Sequence, residues 1–382
     1  MADNAGAAMR GELRATLEGL LRTCADLDRR SSEVVRETRD QSRAIASELV
    51  GLRVPGIGNL AEDIAGLGSR MESDLTAGLA DARRPYLEQA NELLALLAPI
   101  HGVADALPAL NSSRITTLGA TTIVEHFPPG FARDYVGDIL GSVHRSTNIT
   151  ADDADHITPI PTAVAANTTA ATGAEHSEPH REQGTAMLSD PTCHAVERHG
   201  PHIPNEAQLA RLIWRKDFTG EYAWQLMPDG TVTSDHNVGA ATGGFTSPEA
   251  MAKPIDAFLR HAHRKHDDWN EFLNKNTKKK ANRIGIHISA EQAGLVAQDV
   301  TGYRGTATRS KEARQDWLAA RQYAMETAGP PVFAVPYNPV SDGDDPGVTL
   351  GFKKIDGTWH LVTCFPVAHQ EPHNRRLEDL IK

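Results

Sequence analysis

The sequence predicts an all-α helical hairpin at the N-terminus and an α+β domain at the C-terminus, in which helices come first and a mainly antiparallel sheet follows. A disordered acidic linker is expected to join the two. Aromatic placement is the first observation behind this reading. Of 20 aromatic residues only Tyr86 falls in the first 125, Phe127, Phe131 and Tyr135 follow, and the other 16 lie between Trp214 and Phe365. Hydrophobic periodicity is the second, with helical steps early in the chain and alternating runs late. Charge is the third. The net charge of -11 divides into -5 over residues 1–150, -6 over residues 151–190 and zero over residues 191–382, which also hold eleven histidines. At 382 residues the chain has room for two or three domains.

Residues 1–125 make up the hairpin region. Leu13, Leu17, Leu20, Cys24 and Leu27 recur at steps of three and four, and Val34 and Val35 lead on to Ile45 and Leu49. A second run passes through Leu60, Ile64, Leu67, Met71, Leu75 and Leu79 and continues to Leu87, Leu93, Leu94 and Leu97. Val54-Pro55-Gly56-Ile57-Gly58-Asn59 separates them with a Pro-Gly turn that no helix crosses. Two long helices with aliphatic faces need a third helix, self-association or another partner to cover them.

Residues 126–190 are read as mostly disordered linker. Over 151–190 there are one basic and seven acidic side chains, no aromatics, and scattered apolar residues that cannot offset the ordering entropy. A domain boundary is expected near residue 190. Residues 191–382 then read as a helix-rich start over 194–214, a hairpin at Asp229-Gly230, one helix over 247–274 opened by Ser247-Pro248-Glu249, and a helix over 310–327. Residues 284–288, 332–337, 348–355 and 358–365 read as strands, the last two joined at Asp356-Gly357.

Several classes are excluded or disfavoured. No run approaches the 18 or so apolar residues of a membrane span. The N-terminus shows no basic segment followed by an apolar run, so no Sec-type signal is expected. Cys24, Cys193 and Cys364 lie too far apart for a disulfide framework or a cysteine zinc site. No cofactor or metal is expected: His194 and His199 miss the four-residue step that places two ligands on one helix face, and the run His261, His263, His266 reads as a charged helix face.

The chemistry-bearing window is Cys193-His194-Ala195-Val196-Glu197-Arg198-His199-Gly200-Pro201-His202, followed by a helix with Arg211 and Arg215 one turn apart. His199 is expected where a short helix ends, partly exposed and titrating near neutrality. Both guanidinium groups could reach one anion. An imidazole opposite arginine suits metal-free phosphodiester cleavage, with the histidine moving a proton and the arginine stabilising charge on phosphorus. The bland alternative is a surface cluster with no role. On the terminal strand, alternation points Val362 and Cys364 to one face and Thr363 and Phe365 to the other, with His360 on the parity opposed to Thr363.

The string HAVERHGPHIPNEAQLARL resembles the opening motif of the RNase-A-like C-terminal toxin domain of contact-dependent growth inhibition and other polymorphic bacterial toxins. Gly243-Gly244-Phe245-Thr246-Ser247-Pro248-Glu249-Ala250 is similar to its middle block, and Leu361-Val362-Thr363-Cys364-Phe365-Pro366 to its closing strand. The three blocks occur in order over about half of the chain. The resemblance implies catalytic roles for His199, Arg211 and Thr363, with His194 as the other histidine of the pair and Arg215 and Phe365 as substrate-binding groups. Phe365 stands where the family usually carries tyrosine, and the stretch Lys278-Lys279-Lys280 belongs to an unusually long middle.

The expectation is a toxin whose C-terminal domain is a metal-independent endoribonuclease acting through 2′-hydroxyl attack. The resemblance implies an RNA substrate and a cognate immunity protein, and residues 1–125 would engage a secretion chaperone or helical partner. Export by a non-Sec, type VII-like route and action in the target-cell cytoplasm go with it, although the hairpin turn lacks that route's Trp-x-Gly. The rival expectation is a non-catalytic coiled-coil interaction protein with a partner-binding C-terminal domain.

Overall fold

The computed structural model describes residues 2–51, 57–100, 145–158, 178–264 and 266–380. Helices fill the N-terminal part and mixed helices and sheets the C-terminal part. The hairpin turn at 54–56 and linker residues 126–144 and 159–177 lie outside the described residues. Two units separate, one drawn from residues up to 146 together with 306–320, the other from 147–305 and 321 onward.

In the first unit, α1 (Ala2–Gly51) and α2 (Ile57–Ile100) run antiparallel, since Arg39 pairs with Glu72 and Ser42 lies against Gly68. Leu17, Leu21, Cys24, Leu87, Ala90 and Leu94 are buried, whereas Val34, Ile45, Leu60, Leu67 and Met71 stay exposed. The third helical piece comes from far along the chain. Asp316 accepts from Arg10 Nη2 at 2.9 Å, so part of the helix expected over 310–327 groups with the hairpin rather than with the C-terminal domain.

The second unit begins earlier than the sequence suggests. Thr147 bridges to Ala334, Ile149 is buried and its carbonyl accepts from the Trp214 indole at 2.7 Å, and Thr150 caps α3 (Ala151–Asp155). The helix α4 (Glu178–Leu188) sends Met187 and Leu188 into the core. The boundary expected at 190 is therefore corrected: these flanks carry few apolar residues, but each is well placed to be buried.

There follow α5 (Ala195–His199), α6 (Asn205–Trp214), the hairpin β1 (Trp224–Leu226) and β2 (Val232–Ser234), β3 (Ala241–Phe245), α7 (Pro248–Ala262) and α8 (Trp269–Asn276). The single helix expected over 247–274 is broken. Asp268 caps a new start by accepting from Asn270 N at 3.0 Å, which lets Trp269 and Phe272 pack edge-on against Phe258. After β4 (Arg283–Ser289) come α9 (Ala290–Ala293), β5 (Val300–Gly305), α10 (Lys311–Thr327), β6 (Ala334–Tyr337), β7 (Gly347–Ile355), β8 (Thr358–Val367) and β9 (Arg375–Arg376).

Two larger sheets result, ordered β3-β5-β6 and β8-β7-β4-β9. Every pairing is antiparallel except β4 with β9. Ile284, Ile286, Ile288, Val348, Leu350, Phe352, Trp359, Leu361 and Cys364 turn one face of the four-stranded sheet into the core beneath α7. Leu361 and Cys364 are three apart yet both buried, because the register slips at Gly351/Phe352 and leaves Val362 as a bulge. Simple alternation is thereby corrected: His360 and Thr363 share a face.

Candidate active site

The short α5 ends at His199, and the backbone of β3 comes up beside it. Gly243 and Gly244 make this approach possible. A Cβ on Gly243 would lie 2.8 Å from the Pro366 carbonyl of β8, and one on Gly244 would lie 2.9 Å from Gln208 Nε2 of α6. The Gly243 carbonyl is 2.6 Å from His199 Nδ1. A carbonyl only accepts, so Nδ1 carries the proton and Nε2 keeps its lone pair.

Arg211, one turn beyond Gln208 on α6, places Nη1 3.3 Å from His199 Nε2 and 3.4 Å from the Arg198 carbonyl. Phe365 stacks on the imidazole with ring centroids 5.1 Å apart. Three of the residues expected at the site, His199, Arg211 and Phe365, are thus brought together from α5, α6 and β8. Thr363 stands on the same strand face as Phe365, two residues away.

The rest of the expected set is placed elsewhere. His194 lies between two carboxylates, with Nδ1 2.8 Å from Glu197 and Nε2 3.3 Å from Glu221. Arg215 caps α6 in the left-handed region (φ 58°) and donates to the His236 carbonyl at 2.6 Å and to Gln322 at 3.2 Å. The expected arginine pair closing on one anion is not formed, because the helix ends at the second arginine. The histidine run also disperses: His261 bonds the Leu380 carbonyl (3.0 Å), His263 bonds Gln183 (2.6 Å) and His266 faces Glu271 (3.7 Å).

His199 itself is corrected from partly exposed to buried, at 2% exposure. Burial, with the Arg211 charge next, holds it well below the usual imidazole range despite the Gly243 bond. A neighbouring network supports the site. Arg198 grips Asp217 with two bonds of 3.1 Å and reaches Glu221 at 2.7 Å. Burial opposes the Asp217 charge, but these bonds and Thr219 bring its pKa down to about 2. Tyr222 lies under Arg198 and stacks on buried His236, at centroid distances of 5.5 and 5.1 Å. Burial and Arg211 push His236 down to about 4.

Arg211 is the exception in this network. Among the described residues no carboxylate pairs with it, its Nε is buried without a partner, and burial lowers its pKa to about 10. A desolvated guanidinium without a counter-ion is costly and marks a place for an external anion. Sequence reasoning missed Gln208, His236 and the Arg198–Asp217 pair. Arg198 stood inside the quoted window, but nothing local pointed to Asp217 or His236 across the loops.

Compared with known protein families, characterised proteins and solved structures, the chain matches none. No helix among the described residues is long and apolar enough to cross a membrane.

Proposed function

We propose that the second unit is a metal-independent endoribonuclease and the chain a polymorphic bacterial toxin. The observation that carries this reading is Arg211, which bonds no carboxylate among the described residues and holds Nη1 3.3 Å from Nε2 and 3.5 Å from Nδ1 of a neutral histidine. His199 Nε2 takes the proton of the 2′-hydroxyl, the 2′-oxygen attacks phosphorus, and Arg211 stabilises the added negative charge. The bond to the 5′-oxygen breaks, and that oxygen receives the proton from His199. A 2′,3′-cyclic phosphate and a free 5′-hydroxyl remain. Phe365 covers the imidazole, so entry of RNA turns the ring aside to stack on a base, and the Thr363 hydroxyl bonds a phosphate oxygen.

In this reading an acidic immunity protein covers the site, and residues 1–125 engage a secretion chaperone or helical partner. Export follows a non-Sec, type VII-like route to the target-cell cytoplasm. A second reading, a non-catalytic interaction protein, draws support from the 2% exposure of His199, which equally suits a core histidine.

The two part on one experiment, expression of the chain in a bacterium scored for growth arrest and RNA breakage. The ribonuclease should act in EDTA, spare DNA and leave cyclic phosphate ends. His199→Ala and Arg211→Ala should each lower cleavage about a hundred- to ten-thousand-fold, Thr363→Val less, and His194→Ala least. A folded parent chain that leaves RNA intact would favour the second reading.

A further inference from the structure

Three register rows cross β4, β7 and β8 on the face that carries Phe365. The first holds His287, Thr349 and Phe365, the second Gly285, Gly351 and Thr363, and the third Arg283, Lys353 and His360. The Val362 bulge is what brings His360 into the third row. Arg283 and Lys353 are direct cross-strand partners, and like charges so placed repel each other.

Beside this row, Lys278, Lys279 and Lys280 are exposed in the turn that enters β4. The turn is tied to β7, since Ala281 N donates to the Lys278 carbonyl and Lys354 N to the Asn282 carbonyl, both at 2.8 Å. Among the described residues no carboxylate pairs with Lys278, Lys279, Lys280, Arg283 or Lys353. Of the acids on flanking elements, Glu271 pairs with Lys275 at 2.8 Å, and Asp190 pairs with His360 of the third row at 2.6 Å. Five uncompensated cations at one sheet end, two of them in direct opposition, suit a polyanion.

We propose that this basic end of the sheet docks the phosphate backbone of single-stranded RNA whose scissile bond lies at His199. The identity of the polyanion rests on the ribonuclease reading above. Lys353 lies four residues along β7 from Thr349, the partner of Phe365, or about 13 Å. That span exceeds one nucleotide, so the patch holds flanking phosphates rather than the reacting one. Thr363 and Asn374 fill the space over the middle-row glycines, where a Cβ on Gly351 would lie 2.9 Å from the Thr363 methyl and one on Gly285 would clash with Asn374. The route to the site therefore follows β8, whose His360, Thr363 and Phe365 stay partly exposed. No large apolar side chain is exposed at this end, which sets the patch apart from a membrane-docking surface.

The probe is a short single-stranded RNA with every 2′-hydroxyl methylated, which the proposed chemistry cannot cleave. Its binding to the full chain is measured against salt concentration. Replacing Lys278, Lys279, Lys280, Arg283 and Lys353 together by alanine should weaken binding at least about tenfold at low salt and flatten the log–log salt dependence by about 0.7 per lost phosphate contact. Arginine at the four lysine positions should keep both affinity and slope, which separates lost charge from lost fold. Unchanged affinity and slope in the alanine variant, or no binding by the parent, would overturn the patch. Because the probe is uncleavable, binding through the patch stands or falls whether or not the parent cuts ordinary RNA.

Discussion

Arg198 and Arg211 lie on successive helices, with Arg211 Nη1 3.4 Å from the Arg198 carbonyl, yet their surroundings assign them opposite work. Arg198 neutralises Asp217, and both are buried at 8% and 7% exposure. Arg198→Met would leave that carboxylate buried without its cation, and chemical denaturation should show a loss of about 3–5 kcal/mol. Arg211 bonds no carboxylate among the described residues, so Arg211→Met should stabilise the fold by roughly 1 kcal/mol while abolishing the proposed cleavage. A matching loss of stability in both variants would mean that Arg211 is an ordinary structural cation.

His236 gives the same region a pH dependence. Its pKa of about 4 in the folded chain lies below the unfolded value of 6.5, so the unfolded chain binds the extra proton. Stability is full above pH 6.5 and is lost as pH falls toward 4, by about 2 kcal/mol between pH 7 and pH 5. His199 shifts in the same direction. Urea melts at the two pH values should show this fall, and His236→Gln should reduce it.

At the scale of elements, what the sequence made legible is what local chemistry decides. The Asp356-Gly357 hairpin formed as read because both residues take positive φ, 48° and 89°, and the Ser247 cap formed because its hydroxyl accepts from Ala250 N at 3.1 Å. The strands β3 and β5 were illegible for a tertiary reason. Gly243, Gly244 and Gly302 dilute their alternation, and they are glycines because β8, α6 and neighbouring backbone press on them. The Val362 bulge was hidden likewise, since a register slip exists only between two strands. Of the candidate site, His199, Arg211 and Phe365 could be named in advance from their motif. The burial of His199 and the diversion of Arg215 could not, because each depends on an element distant in sequence.

At the scale of the whole chain, the boundary of the second unit decides which fragment can stand alone. A fragment of residues 191–382 follows from composition, but it omits Ile149, Met187 and Leu188, exposed by only 8%, 3% and 3%. It also leaves the Trp214 indole without its acceptor at Ile149 and Ala334 without its bridge to Thr147. Full burial of an aliphatic side chain contributes about 1.5–3 kcal/mol, so three of them contribute on the order of 5 kcal/mol. That equals the lower end of the stability of a whole domain, about 5–15 kcal/mol. The fragment 147–382 leaves residues 306–320 without the hairpin they group with but keeps the whole second unit. It should therefore unfold cooperatively in urea, while 191–382 should be marginal at 25 °C and lose most of the proposed growth arrest through instability. Ile149→Ala in the longer fragment should fall between them, losing about 2–4 kcal/mol through a cavity beside Trp214. Equal urea midpoints for the two fragments would show that residues 147–190 only lie on a unit that is already complete.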